Sequence, residues 1–276
     1  MDRFPGPHAA IRGRLVAERF DGFIVDLDGV VWVGGRAIPG AIEALAQLRA
    51  AGKRLLFLTN DPRNSRAGYA RRLRALGFPA SEEDVLTSSA ATADFLATRE
   101  KLTGKNAFVA GSPALKEEVE RAGLRLVDAS GGVDADVVVV GGHDGFDYAE
   151  LRVAAQAVRR GARFYATGRD AVFPMPDGPW PGTGAVLAAV ETAADRRATV
   201  VGKPEPFIFE VARTRLAGCR HIAVVGDSLE SDIAGGKRAG LQTILVLTGN
   251  TSTEQVQEAG VQPDFVCRDL AAVTAT

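Results

Sequence analysis

The run Phe23-Ile24-Val25-Asp26-Leu27-Asp28-Gly29 constrains this chain more than any other stretch. Its apolar, β-branched residues read as a buried strand, and the strand ends in two carboxylates one residue apart, followed by a glycine. In an open α/β sheet, ligands bind beyond the carboxyl ends of the strands, so acids placed there are candidates for chemistry. Alternate residues of a strand share a face, which directs Asp26 and Asp28 toward one cavity. Carboxylates that close repel each other unless a cation lies between them. A divalent ion such as Mg2+ meets that need, because it takes oxygen ligands and keeps positions open for phosphate oxygens. Asp-Gly is also a common turn former, so this stretch alone leaves a solvated turn open.

The rest of the chain supplies partners. Leu55-Leu56-Phe57-Leu58 runs into Thr59 and Asn60, Val200-Val201-Gly202 into Lys203, and Ile222-Ala223-Val224-Val225-Gly226 into Asp227 and Ser228, with Asp232 four residues further on. Taken singly, Asp232 could cap a helix, Lys203 could lie on the surface, and Thr59-Asn60 could be turn chemistry. Taken in order, Asp-x-Asp-Gly, Thr-Asn, Gly-Lys-Pro and Gly-Asp-Ser resemble the haloacid dehalogenase-like hydrolase superfamily, in its NagD or p-nitrophenylphosphatase-like branch, over almost the whole chain.

Local patterns place these motifs. Ile42, Leu45 and Leu48 recur at helical spacing up to Gly52, so the strand ending at Asp26 and the strand ending at Thr59 form a βαβ unit. Its right-handed crossover makes them parallel and puts Thr59 on the same edge as Asp26. Between residues 91 and 197 a second alternation of strand and helix patterns contains none of the motif residues, which reads as a separate domain. The expected architecture is therefore α/β: a Rossmann-like parallel-sheet core from 1–90 and 198–276, with an inserted α/β cap domain at 91–197. A helix is expected from Asp232 to Ala239, and the tail from Ala271 is expected to fray.

The resemblance implies a Mg2+-dependent phosphatase acting on small phosphorylated metabolites through an aspartyl-phosphate. It casts Asp26 as nucleophile, Asp28 as general acid and then base, and Gly29, Thr59, Asn60 and Lys203 as phosphate binders. Lys203 would also orient the nucleophile. The metal would be held by Asp26, the backbone carbonyl of Asp28 and Asp227, with Ser228 and Asp232 in support. It also implies a homodimer through the cap. Two positions depart from the family pattern: Asp61 stands where asparagine is usual and adds negative charge near the phosphate site, and Gly168 replaces a common asparagine in Ala166-Thr167-Gly168-Arg169-Asp170.

Composition narrows the field. A net charge of −1 gives no electrostatic case for nucleic acid or an anionic membrane surface. No apolar run reaches membrane-spanning length, and the N-terminus lacks the apolar core of a signal peptide, so a cytoplasmic address is expected. Cys219 and Cys267 have no metal-ligand spacing. Cleavage of a C–P or C–halogen bond on the same fold, or a catalytically silent binding protein, stay open as alternatives. Asp28 argues against the dehalogenase, and the complete set of carboxylates with Lys203 argues against the silent protein.

Overall fold

The computed structural model describes residues 16–173, 175 and 177–274, so residues 1–15 of the expected core fall outside it. The main sheet has six parallel strands in the order Phe265–Cys267, Gln242–Val246, Ile222–Gly226, Gly22–Asp26, Arg54–Thr59 and Val85–Thr87. Gly22–Asp26 is buried at every position, as its composition requires of a central strand. It lies between Arg54–Thr59 and Ile222–Gly226, with Gly22 opposite both Arg54 and Ile222. The strand order thus reverses at Gly22–Asp26, and the crevice beyond its carboxyl end is where such sheets bind ligands.

Helices cover both faces. On one, Leu45 and Leu48 of helix Ala41–Ala50 and Tyr69 and Leu73 of helix Arg66–Ala75 pack on Val25 and Phe57. On the other, Ile208, Phe209 and Ala212 of helix Pro206–Arg215 meet Ile24, Leu56 and Val224. Each such aliphatic or aromatic side chain, fully buried, contributes about 1.5–3 kcal/mol. Ser65 begins helix Arg66–Ala75 by accepting from Gly68 N at 3.1 Å. Gly52, at φ 74°, ends the helix before it in the left-handed conformation that glycine adopts without strain.

A second parallel sheet runs Thr199–Val200, Arg163–Ala166, Val137–Val140, Asn106–Ala110 and Arg125–Leu126, with its own apolar clusters on the two faces. It reaches beyond the expected boundary at 197, because Thr199 and Val200 pair with Tyr165 and Ala166. The apolar pair before Lys203 is therefore an edge strand of this second sheet, and a loop carries the lysine to the main one. Helix Ser88–Thr98 joins the two units: Ala90 and Ala91 pack in the first core, and Leu96 packs with Leu102, Val109 and Leu115 in the second.

Two expectations are corrected. The helix expected from Asp232 starts earlier, as a π-helical turn at Leu229–Ala234 that passes into a short α-helix, Gly235–Arg238. The C-terminal tail does not fray at Ala271: Leu270–Thr274 is helical, and Leu270 and Val273 are buried in the main core. Among the described residues no helix is long and apolar enough to cross a membrane.

Candidate active site

The carboxyl edge of the main sheet gathers most of the expected residues. Asp26 and Thr59 end adjacent strands, and Asp227 follows the strand on the other side of Asp26. Carboxylate oxygens of Asp26, Asp227 and Asp232 lie within 4.8 Å of one another, and all three residues are buried. Lys203, 3% exposed, reaches into the cluster from the returning loop, with Nζ 2.9 Å from Asp26 Oδ1 and 2.7 Å from Asp232 Oδ1. Asp232 is thus not a peripheral cap but part of the charge cluster.

Three buried carboxylates face one ammonium, a surplus of negative charge that shapes every titration there. Burial, with the neighbouring carboxylates Asp232 and Asp227, raises Asp26 well above the carboxylate range despite the attraction of Lys203. Burial first and Asp232 second push Asp227 up to about 7. Burial pulls the other way on Lys203, but Asp232 and Asp26 outweigh it and hold the amine above the usual lysine range, as a permanent cation. An all-oxygen, anionic, buried donor set with surplus charge fits a hard divalent cation such as Mg2+. The space beside it is kept clear by glycine: Gly29 sits at φ 81°, and a Cβ there would run into Asp227 Oδ2, as would one at Gly249.

Asp28 is not part of this carboxylate cluster. Its Oδ1 accepts from Trp32 Nε1 at 2.9 Å. The indole is fixed in turn, stacked on Tyr69 at 6.3 Å between ring centroids, with the Arg72 guanidinium 4.0 Å from its own centroid. Burial, and next the charge of Asp61, push Asp28 up to about 6, so it holds or releases a proton near neutrality. Trp32 belongs to the short hairpin Trp32–Val33 with Arg36–Ala37 that follows the acidic motif.

The remaining expected residues have defined partners. Thr59 Oγ1 accepts from Asp61 N at 3.0 Å. The Asn60 side chain is spent on the protein: Nδ2 donates to Lys203 O at 2.8 Å and to Asp170 Oδ2 at 2.7 Å, and Oδ1 accepts from Lys203 N at 2.8 Å. Ser228 Oγ caps the π-helical turn through Ser231 N, while its N–H donates to Asp232 Oδ2. The extra charge expected from Asp61 is felt at Asp28 and is paired two residues later, where Arg63 donates Nε to Oδ1 at 2.8 Å and Nη2 to Oδ2 at 3.0 Å.

The residues that hold Asp227 are not evident from the motifs. The loop after Gln242–Val246 wraps it, Asn250 N donating to Asp227 Oδ2 and Thr251 Oγ1 to its main-chain oxygen, both at 2.6 Å. Thr248 Oγ1 donates to Gly29 O at 2.5 Å and ties the same loop to the first motif. The signal for them is a polar, glycine-containing run, Thr248-Gly249-Asn250-Thr251, directly after a strand at the active edge.

Comparison with known proteins agrees with this geometry. Residues 23–125 match the family described as haloacid dehalogenase-like hydrolase, and residues 200–273 match a further family of the same kind. Chronophin of Homo sapiens is 42% identical over 268 residues, which span 92% of this chain and 90% of that protein. The glycerol phosphate phosphatase of Mycobacterium tuberculosis, solved in complex with magnesium, superposes with a TM-score of 0.88 at 35% identity, covering 94% of this chain and 78% of that one. The p-nitrophenyl phosphatase of Archaeoglobus fulgidus superposes with a TM-score of 0.82, also at 35% identity, covering 93% and 99%. Sequence motifs, strand order and relatives coincide along both units, and the chain belongs to the haloacid dehalogenase-like hydrolases, in their NagD or p-nitrophenylphosphatase-like branch.

Proposed function

We propose that this protein is a Mg2+-dependent phosphatase that hydrolyses small phosphate monoesters through an aspartyl-phosphate on Asp26. The observation that carries the reading is the pairing of a buried Asp26, held 2.9 Å from the Lys203 amine, with an Asp28 pushed up to about 6. On this reading one acid attacks and the other moves protons. Glycerol phosphate and p-nitrophenyl phosphate, which the two solved relatives are named for, belong to this substrate class.

In the first step an Asp26 oxygen bonds to phosphorus, the ester P–O bond breaks, and the leaving alkoxide takes the proton of Asp28. In the second, Asp28 accepts a proton from water as that water attacks the phosphoryl group and frees Asp26. Thr59 and the main chain at Gly29 and Asn60 bind phosphate oxygens, and Lys203 orients Asp26. The metal would be held by Asp26, the Asp28 main-chain oxygen and Asp227, supported by Asp232 and Ser228. When bound, it supplies positive charge against the substrate dianion. C–P and C–halogen cleavage are not favoured, because neither asks for an Asp28 tuned to donate a proton to an alkoxide.

Metal dependence gives the direct test. Phosphate release from a panel of small esters is expected with Mg2+ and is expected to vanish in chelator; undiminished turnover without metal overturns the role of Asp227. Stability carries a matching signature. Asp227 rises to about 7 in the fold from an ordinary 3.8, so the metal-free fold keeps a proton that the unfolded chain has released. That contribution is complete below about pH 4 and is lost as pH rises toward 7. Mg2+ takes the deprotonated carboxylates, so its effect on the melting temperature should grow across the same window, measured by thermal unfolding with and without the ion.

The second unit acts as the cap, excluding water and selecting the leaving group. Homodimerisation through it is supported by the apolar side chains it exposes, Tyr148, Val172 and Trp180. Sedimentation at micromolar concentration should report twice the mass of one chain, and Tyr148→Ser with Trp180→Ser should lower it; a monomer in the parent protein removes the proposal. Both cysteines are free, which supports a reducing compartment, the cytoplasm.

A further inference from the structure

Asp170 is a half-buried carboxylate that no step above uses. It lies after the strand Arg163–Ala166 of the second sheet, yet its Oδ2 accepts from Asn60 Nδ2 at the edge of the main sheet, 2.7 Å away. The same amide clamps Lys203 twice, accepting from its N–H and donating to its carbonyl, both at 2.8 Å. An amide has two donor hydrogens and one acceptor oxygen, so Lys203 and Asp170 together use both donors and fix which way the group is turned.

The surroundings leave this arrangement no slack. A Cβ on Gly202 would run into Thr167 O and stand 2.7 Å from Asn60 Oδ1, so the loop carrying Lys203 passes tight against both units. A Cβ on Gly168 would stand 3.0 Å from Asp170 Oδ2, and the Asp170 main-chain oxygen accepts from Gly184 N at 2.8 Å in helix Thr183–Ala194. Asp170 is thereby anchored in the second unit while its carboxylate holds a residue of the first.

We propose that Asp170 is a positioning residue for the active site: through Asn60 it fixes the main chain of Lys203, and so sets where the amine meets Asp26 and Asp232. The proposal rests on the reading of Lys203 as the partner of the nucleophile. Its consequence is that the second unit does more than cover the substrate, because the placement of a catalytic cation depends on it.

The test compares two substitutions in the full-length protein with p-nitrophenyl phosphate and Mg2+. Asp170→Leu, which has no acceptor, should lower kcat about ten- to a hundredfold with KM within about twofold, the scale on which small misplacements act. Asp170→Asn, whose Oδ1 still accepts from Asn60, should keep most of the activity. A second readout does not need turnover: acetic anhydride followed by mass spectrometry should leave Lys203 protected in the parent and the asparagine variant, and modify it in the leucine variant. Asp170→Ala takes the place of the leucine variant if that one does not fold. Full turnover and full protection of Lys203 in the leucine variant overturn the proposal. An asparagine variant as impaired as the leucine one also overturns it, because the carboxylate would then act by its charge. A parent protein that releases no phosphate overturns the phosphatase reading, while the acetylation comparison still decides whether Asp170 positions Lys203.

Discussion

Asp26→Asn removes turnover to the limit of detection and with it any phosphoenzyme, because an amide is too poor a nucleophile to form the bond to phosphorus. Asp28→Asn behaves differently. General acid–base assistance is worth about 10²–10⁴-fold, and an aryl phosphate whose leaving group departs without a proton is spared most of that loss in the first step. The second step still needs a base, so the phosphorylated protein accumulates. A burst of nitrophenol, with mass spectrometry of the trapped enzyme showing phosphate on Asp26, supports the division of labour; a phosphoenzyme in the Asp26→Asn variant reverses it. With alkyl esters, kcat/KM of the parent falls as pH rises through about 6, where Asp28 gives up its proton.

Lys203→Met is expected to abolish activity and to lower the stability of the metal-free protein at pH 8 by about 3–5 kcal/mol, the usual consequence of taking one partner from a buried ion cluster. The amine stands 2.9 Å from Asp26 and 2.7 Å from Asp232, and without it no cation among the described residues touches the three buried carboxylates. Urea unfolding measures the change. The loss should be smaller at pH 5, because Asp227, pushed up to about 7, then takes a proton and relieves part of the repulsion. Equal unfolding midpoints for parent and variant at pH 8 would show that the amine balances nothing.

The path from sequence to site was readable where chemistry sits at strand ends. Asp26, Thr59 and Asp227 each follow an apolar run, and parallel strands must bring such ends to one edge. Lys203 is less legible: the apolar pair before it belongs to the second sheet, and its main chain is held by the Asn60 clamp, a contact between residues 143 positions apart that no local pattern encodes. The winding that carries Asp232 to the amine is out of reach of periodicity, because a π-helical turn from Leu229 leaves no trace in it. Asp61 does add charge beside Asp28, but its pairing with the guanidinium of Arg63 depends on the shape of the loop, which no local pattern gives. The tail looked frayed because its residues are small, yet Leu270 and Val273 reach the core.

The pairing of Gly22–Asp26 with Ile222–Gly226 also bears on how a growing chain acquires its centre. Asp21 and His221, which join at the foot of these strands, are 200 positions apart, so this side of the first strand has no neighbour until most of the polypeptide exists. Until then it presents open backbone groups on a hydrophobic ribbon, the kind of edge that recruits unwanted strands. The second unit, whose strand pairings all fall within a shorter stretch, faces no such wait. Synthesis therefore delivers every strand of the second sheet before the last strands of the first, and the interval between the two is when the open edge of Gly22–Asp26 is most exposed to wrong pairing.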